Sequence, residues 1–87
     1  ETDSDDIIIF PNPNEGEFEI QWPNVIDQDV EITLIDPLGR KVYRSRIEKE
    51  NQTSVLSLDI NGLSAGTYLL LIQDQQGSKL LKRVMVL

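Results

Sequence analysis

The chain has 87 residues, with 15 acidic and 8 basic side chains, a net charge of −7, and neither cysteine nor histidine. This length allows one small domain, and the composition excludes a disulfide framework, a thiolate metal site and a histidine general base. The negative charge repels nucleic-acid backbones. We therefore expect no enzymatic activity, no cofactor, no metal and no nucleic-acid partner.

An acidic leader opens the chain and ends abruptly at an apolar run. Four acids lie among the first six residues, and the run from Ile7 to Phe10 follows directly. The leader lacks the ligand spacing and the glycine of a calcium loop. We predict that residues 1–6 form a solvated linker and that residues 7–87 form one domain whose first strand is the apolar run.

The next three predicted strands follow from alternating polarity and from turn residues. Apolar residues recur at every second position in two segments, which indicates strands with one buried face. Asp36-Pro37-Leu38-Gly39 separates the second of these from a strand over residues 40–47, and its composition predicts a type I turn followed by a left-handed bulge residue. The alternating apolar residues are Phe18, Ile20 and Trp22, then Val30, Ile32 and Leu34.

The second half of the chain predicts three more strands. Leu56, Leu58 and Ile60 alternate with polar residues. Residues 68–72 are apolar at every position, as expected of a central strand covered on both sides or lying at an interface. A second D-x-x-G turn at residues 74–77 leads into the last strand, residues 79–87.

Seven short strands without a competing helical period predict an all-β, immunoglobulin-like antiparallel β-sandwich. Leu63-Ser64-Ala65-Gly66-Thr67-Tyr68 resembles a tyrosine corner, so we expect the Tyr68 hydroxyl to bond to backbone near residues 59–63. We expect ten residues to be largely buried: Phe18, Ile20, Trp22, Ile32, Leu34, Leu58, Tyr68, Leu70, Ile72 and Val84.

Four motifs in order resemble the type IX secretion C-terminal sorting domain, over residues 7–87. One departure is Phe10, which precedes the first motif where tyrosine is common in the family. The motifs are a P-N-P box followed by glycine (Pro11, Asn12, Pro13, Gly16), a D-x-x-G-K/R-x-V hairpin (Asp36 to Val42, with Gly39), an L-x-x-G-x-Y corner (Leu63 to Tyr68, with Gly66) and a lysine-bearing last strand (Lys82-Arg83-Val84).

The resemblance implies a sorting signal at the end of a larger cargo protein of a Gram-negative bacterium. Such cargo reaches the periplasm, and an outer-membrane translocon recognises the folded domain. A sortase-like peptidase then removes the domain or attaches the cargo to the cell surface, so the cargo is secreted or surface-bound. The acidic leader, the linker from the upstream cargo, is the expected place for that cut.

The sequence is compatible with more than one role for the last strand and for the domain. Lys79, Lys82 and Arg83 of the last strand either form the surface that the translocon reads or guard a sheet edge against aggregation. An unpaired last strand also allows an edge-to-edge dimer. The alternatives to a sorting signal are an adhesion or carbohydrate-binding module and a structural spacer between domains.

Overall fold

The computed structural model describes residues 7–21, 28–51 and 55–87. The acidic leader and Trp22 lie outside these ranges. The described chain forms seven strands and one short 3-10 helix, Lys49–Asn51. No helix in the described part is long and apolar enough to cross a membrane. The strands are β1 (Ile8–Phe10), β2 (Glu17–Gln21), β3 (Val30–Ile35), β4 (Lys41–Ile47), β5 (Val55–Asp59), β6 (Gly66–Asp74) and β7 (Lys79–Val86).

The strands form two antiparallel sheets that enclose one core. Sheet A has the order β1-β2-β5, and sheet B has the order β4-β3-β6-β7. The predicted all-β sandwich of seven strands is therefore confirmed. β6 is an interior strand of sheet B, and β7 is one of its edges.

Side chains from both sheets fill the core between them. Each fully buried aliphatic or aromatic side chain stabilises the fold by about 1.5–3 kcal/mol, and alternation along the strands supplies such residues on one face of each sheet. Ile7 and Ile9 from the start of the chain and Val30 and Val86 complete this core. Nine of the ten residues expected in the core are buried: Phe18, Ile20, Ile32, Leu34, Leu58, Tyr68, Leu70, Ile72 and Val84.

The two D-x-x-G segments are hairpin turns, as predicted. Asp36 Oδ1 accepts hydrogen bonds from the N–H groups of Leu38 (3.0 Å) and Arg40 (2.8 Å). Asp74 Oδ1 accepts equivalent bonds from the N–H groups of Gln76 and Ser78, both at 2.9 Å. Gly39 closes the first turn with a φ of 86°, and Gly77 closes the second with a φ of 87°. These positive angles identify the glycines as the left-handed bulge residues expected from the sequence.

Candidate functional site

The P-N-P box lies against the last strand and caps part of its free edge. The Asn12 side chain acts as a short piece of strand: Oδ1 accepts a hydrogen bond from the Met85 N–H (2.8 Å), and Nδ2 donates one to the Arg83 carbonyl (3.3 Å). Asn14 continues this pairing through its backbone, since its N–H donates to the Met85 carbonyl (2.9 Å) and its carbonyl accepts from the Leu87 N–H (2.7 Å). The C-terminal half of the β7 edge is therefore paired.

Asn14 also fixes the shape of the box itself. Only 4% of its surface is exposed. Its Oδ1 accepts a hydrogen bond from the Gly16 N–H (2.9 Å), and its Nδ2 donates one to the Pro11 carbonyl (3.0 Å). A buried amide whose donor and acceptor are both satisfied holds a loop in one conformation. The peptide bonds before both prolines of the box are cis.

Gly16 closes the box against the loop that follows β5. Its carbonyl accepts a hydrogen bond from the Ile60 N–H (2.9 Å). Its φ is +103°, and a Cβ at this position would lie 2.5 Å from the Ile60 carbonyl oxygen. Only glycine satisfies both the backbone angle and the close approach.

Asp36 anchors the hairpin motif and is largely buried, with 8% of its surface exposed. Loss of hydration would raise the pKa of its carboxyl. Hydrogen bonds from the Arg40 backbone, the Arg40 guanidinium and the Leu38 backbone outweigh that effect and hold the pKa below the ordinary value of 3.8. The guanidinium bond, from Arg40 Nε to Asp36 Oδ2, is 2.7 Å long.

The L-x-x-G-x-Y segment is a tyrosine corner. The Tyr68 hydroxyl donates a hydrogen bond to the Ser64 carbonyl at 2.6 Å, while the ring is buried. As predicted, the hydroxyl bonds to an upstream backbone group, but the acceptor, Ser64, lies one residue beyond the predicted range of 59–63. Gly66 lies beside the hairpin turn, because a Cβ there would be 2.9 Å from the ring of Pro37.

These contacts bring the motifs together at one end of the sandwich. The box contacts the end of β7, Gly16 contacts Ile60 before the tyrosine corner, and that corner contacts the hairpin turn through Gly66 and Pro37. We call this region the motif end. It contains eight of the ten sorting-motif residues expected from the sequence: Pro11, Asn12, Pro13, Gly16, Gly39, Gly66, Tyr68 and Arg83.

The three cations of the last strand do not form one cluster. Lys79 pairs with Gln73 beside the turn at the opposite end of the sandwich, and Arg83 pairs with Leu69. Both are exposed on the outer face of sheet B. Lys82 pairs with Leu70 on the core-facing side of β7 and is half-buried. The cations of the last strand therefore lie on both sides of β7.

A shallow concavity of about 610 Å³ lies on the outer side of sheet A, beside the box. Its lining includes apolar side chains such as Phe10, Pro13 and Leu87 and the carboxylates of Glu15, Glu17, Glu19 and Asp59. The described residues contain no group of histidine, cysteine or acidic side chains that could hold a metal ion. The concavity therefore offers apolar contact and negative charge.

Sequence reasoning did not single out Asn14. Pro13-Asn14-Glu15-Gly16 resembles the D-x-x-G turns, and asparagine favours turns in which its side chain bonds to backbone two residues on. That signal could have identified the Gly16 bond. The pairing of Asn14 with Met85 and Leu87 depends on tertiary packing.

The fold is similar to that of a solved structure from Bacteroides vulgatus, a DUF3244 family protein with an immunoglobulin-like β-sandwich fold. The two share 20% sequence identity with a TM-score of 0.73, over 92% of this chain and 83% of that chain. This similarity confirms the immunoglobulin-like fold. No curated protein sequence matches the chain significantly.

A family model described as "Secretion system C-terminal sorting domain" matches residues 8–87. The match covers all seven strands and all four motifs. It agrees with the resemblance that the order of the motifs indicated, and it favours a non-catalytic role. The chain therefore belongs to the family of type IX secretion C-terminal sorting domains.

Proposed function

We propose that this domain directs a larger cargo protein through the outer membrane by type IX secretion, to the cell surface or the medium. The observation that carries the proposal is the convergence of the four motifs at the motif end, in a chain that matches the family over residues 8–87. The partners are the cargo in the same polypeptide and the outer-membrane translocon, reached from the periplasm.

The fold supports recognition of a folded domain. Asn12 and Met85 are 73 positions apart in sequence, and their hydrogen bond forms only when the first and last strands have docked. The motif end therefore exists as one surface only in the folded state. Recognition that depends on this folded arrangement distinguishes completed domains from unfolded chains.

Release of the cargo is the second part of the proposal. A sortase-like peptidase cuts within the acidic leader, residues 1–6, and frees the cargo or attaches it to the cell surface. The support is the composition of the leader, with four acids directly before the buried Ile7. Exposed polar segments beside a packed domain are preferred sites of proteolysis.

The test is a fusion of the whole chain behind a periplasm-directed reporter. We expect the reporter to reach the surface or the medium only in cells with a working type IX translocon. Replacing residues 1–6 with a glycine-serine linker should leave translocation intact and abolish cleavage. Equal export with and without the translocon would contradict the sorting function.

An adhesion or carbohydrate-binding module is the competing function. Sugar-binding sites of this type need exposed aromatic rings, and the described residues supply one clear case, Phe10, at 37% exposure beside the concavity. Phe18 and Tyr68 are buried, and Tyr43 packs against the core. A glycan array with the purified chain tests this alternative.

A further inference from the structure

The outer face of sheet B carries apolar residues where a solvated sheet face carries polar ones. β6 is apolar on both sides, so Leu69 and Leu71 point away from the core. Leu69 pairs with Ile35 on β3, and Leu71 pairs with Leu81 on β7. All four are half-buried, and Met85 beside them on β7 is 48% exposed. We call these five residues the leucine face.

Cations border the leucine face on both edges of the sheet. Lys79 and Arg83 lie on the β7 side. On the β4 side, Lys41 pairs with Ile35 of the leucine face, followed along the strand by Arg44 and Arg46. The latter two form ion pairs, Arg44 with Glu31 at 3.0 Å and Arg46 with Asp29 at 2.7 Å. The described face thus carries five cations against two carboxylates, in a protein whose net charge is −7.

The opposite side of the sandwich has the reverse charge. Glu17, Glu19 and Asp59 point outward from sheet A, and its strands β1, β2 and β5 contain neither lysine nor arginine. Such segregation gives the molecule two electrostatically different faces. An acidic partner is repelled by sheet A and attracted to sheet B, which orients the encounter before contact.

We propose that the leucine face is the docking surface for the translocon, and that it binds an apolar protein surface bordered by acidic residues. This inference rests on the proposed sorting function. An anionic membrane is a poorer partner, because the net charge of −7 opposes adsorption and the leucines are half-buried. Charge at the border sets orientation and association rate, and the apolar centre supplies binding energy.

The test compares two matched triple variants in the reporter fusion. The first is Leu69→Thr, Leu81→Thr and Arg83→Gln on the leucine face. The control is Ile8→Thr, Val55→Thr and Gln21→Glu on the outer face of sheet A, where these three residues are cross-strand neighbours. Each variant replaces two partly or fully exposed aliphatic residues with a strand-compatible threonine and makes the net charge more negative by one.

We expect the leucine-face variant to lose translocon-dependent export by at least tenfold, and the control to be exported like the parent. Melting temperatures of the purified chains show whether both variants remain folded. A double variant that changes only the charges gives an independent result. Lys79→Gln with Arg83→Gln should slow export severalfold. Its control, Lys82→Gln, changes a cation on the other side of the strand and should not slow export.

The outcomes separate the inference from the function on which it rests. If the parent fusion is exported without the translocon, the sorting function fails. Suppose instead that export of the parent needs the translocon. If the leucine-face triple variant and the Lys79→Gln, Arg83→Gln pair are then exported normally, or if the sheet A control is defective in their place, only the proposed docking surface is wrong. Binding of the parent chain to phosphatidylglycerol vesicles, lost in the leucine-face variant, would identify a membrane surface and overturn the protein partner.

Discussion

Gly16→Ala should destabilise the domain far more than Gly39→Ala, although both positions have a positive φ. At Gly39, φ is +86° and a Cβ would have no neighbour within 4 Å, so the substitution adds only backbone strain. A left-handed conformation costs alanine about 1–2 kcal/mol. At Gly16 the new Cβ would also lie 2.5 Å from the Ile60 carbonyl oxygen, well inside an ordinary contact.

Relief of that contact requires the box and the loop after β5 to separate. Overpacking of this kind costs about 1–3 kcal/mol, so Gly16→Ala should lose about 2–5 kcal/mol in all. The whole domain is stabilised by about 4–13 kcal/mol at the usual value per residue. One methyl group at Gly16 is therefore expected to remove a large fraction of the stability.

Thermal and urea unfolding, followed by circular dichroism, measure this difference. A domain of this size loses about 4–8 °C in Tm per kcal/mol, so the extra overpacking cost should make the Gly16→Ala variant melt about 4–24 °C below the Gly39→Ala variant. Both variants remove a glycine, so the change in unfolded-state entropy largely cancels between them. Equal melting temperatures would show that the box is not held against Ile60 as described.

Three further predictions concern the other motifs. Tyr68→Phe removes the bond to the Ser64 carbonyl and should cost about 1 kcal/mol, measured as a lower urea midpoint with an unchanged slope. Asn12→Ala should speed hydrogen exchange at the Met85 N–H, whereas the Leu87 N–H, bonded to the Asn14 carbonyl, should stay protected. The pKa of the Asp36 carboxyl is lowered in the folded state, so its contribution to the free energy of unfolding is present above pH 3.8 and is lost as the pH falls further. The difference in stability between the parent and Asp36→Asn should therefore narrow below about pH 4, measured by unfolding at a series of acidic pH values.

Alternation and turn chemistry predicted most of the fold because both are local. The period of two placed Phe18, Ile20 and Ile32 in the core, and the two D-x-x-G turns fixed their hairpins. The division of the strands into sheets of three and four could not be read in the same way. That division depends on which strands pair across long stretches of sequence, and the alternation of polar and apolar residues within a strand does not specify its neighbouring strand.

The candidate site was predicted in part for the same reason. The motif residues were recognisable singly, but their convergence results from contacts such as Asn12 with Met85, which no local pattern contains. The separation of the last-strand cations onto two sides of β7 could have been predicted from their odd or even positions in the sequence. Lys79 and Arg83 share one parity, and Lys82 shares the other with Val84, so the alternation of β7 places Lys82 apart from the other two.

The pairing of the box with the last strand also determines when the domain becomes complete. The Asn12 bonds to Arg83 and Met85 close loops spanning 71 and 73 positions, so their entropic cost must be met by contacts formed before them. Proteins dominated by such non-local pairing fold in milliseconds to seconds. We therefore expect the edge of β7 to be paired late in folding. A chain truncated before Arg83 lacks both backbone partners of the Asn12 amide. The Asn12 side chain is therefore fully hydrogen-bonded to β7 only in a chain whose last strand is present and packed in the sheet.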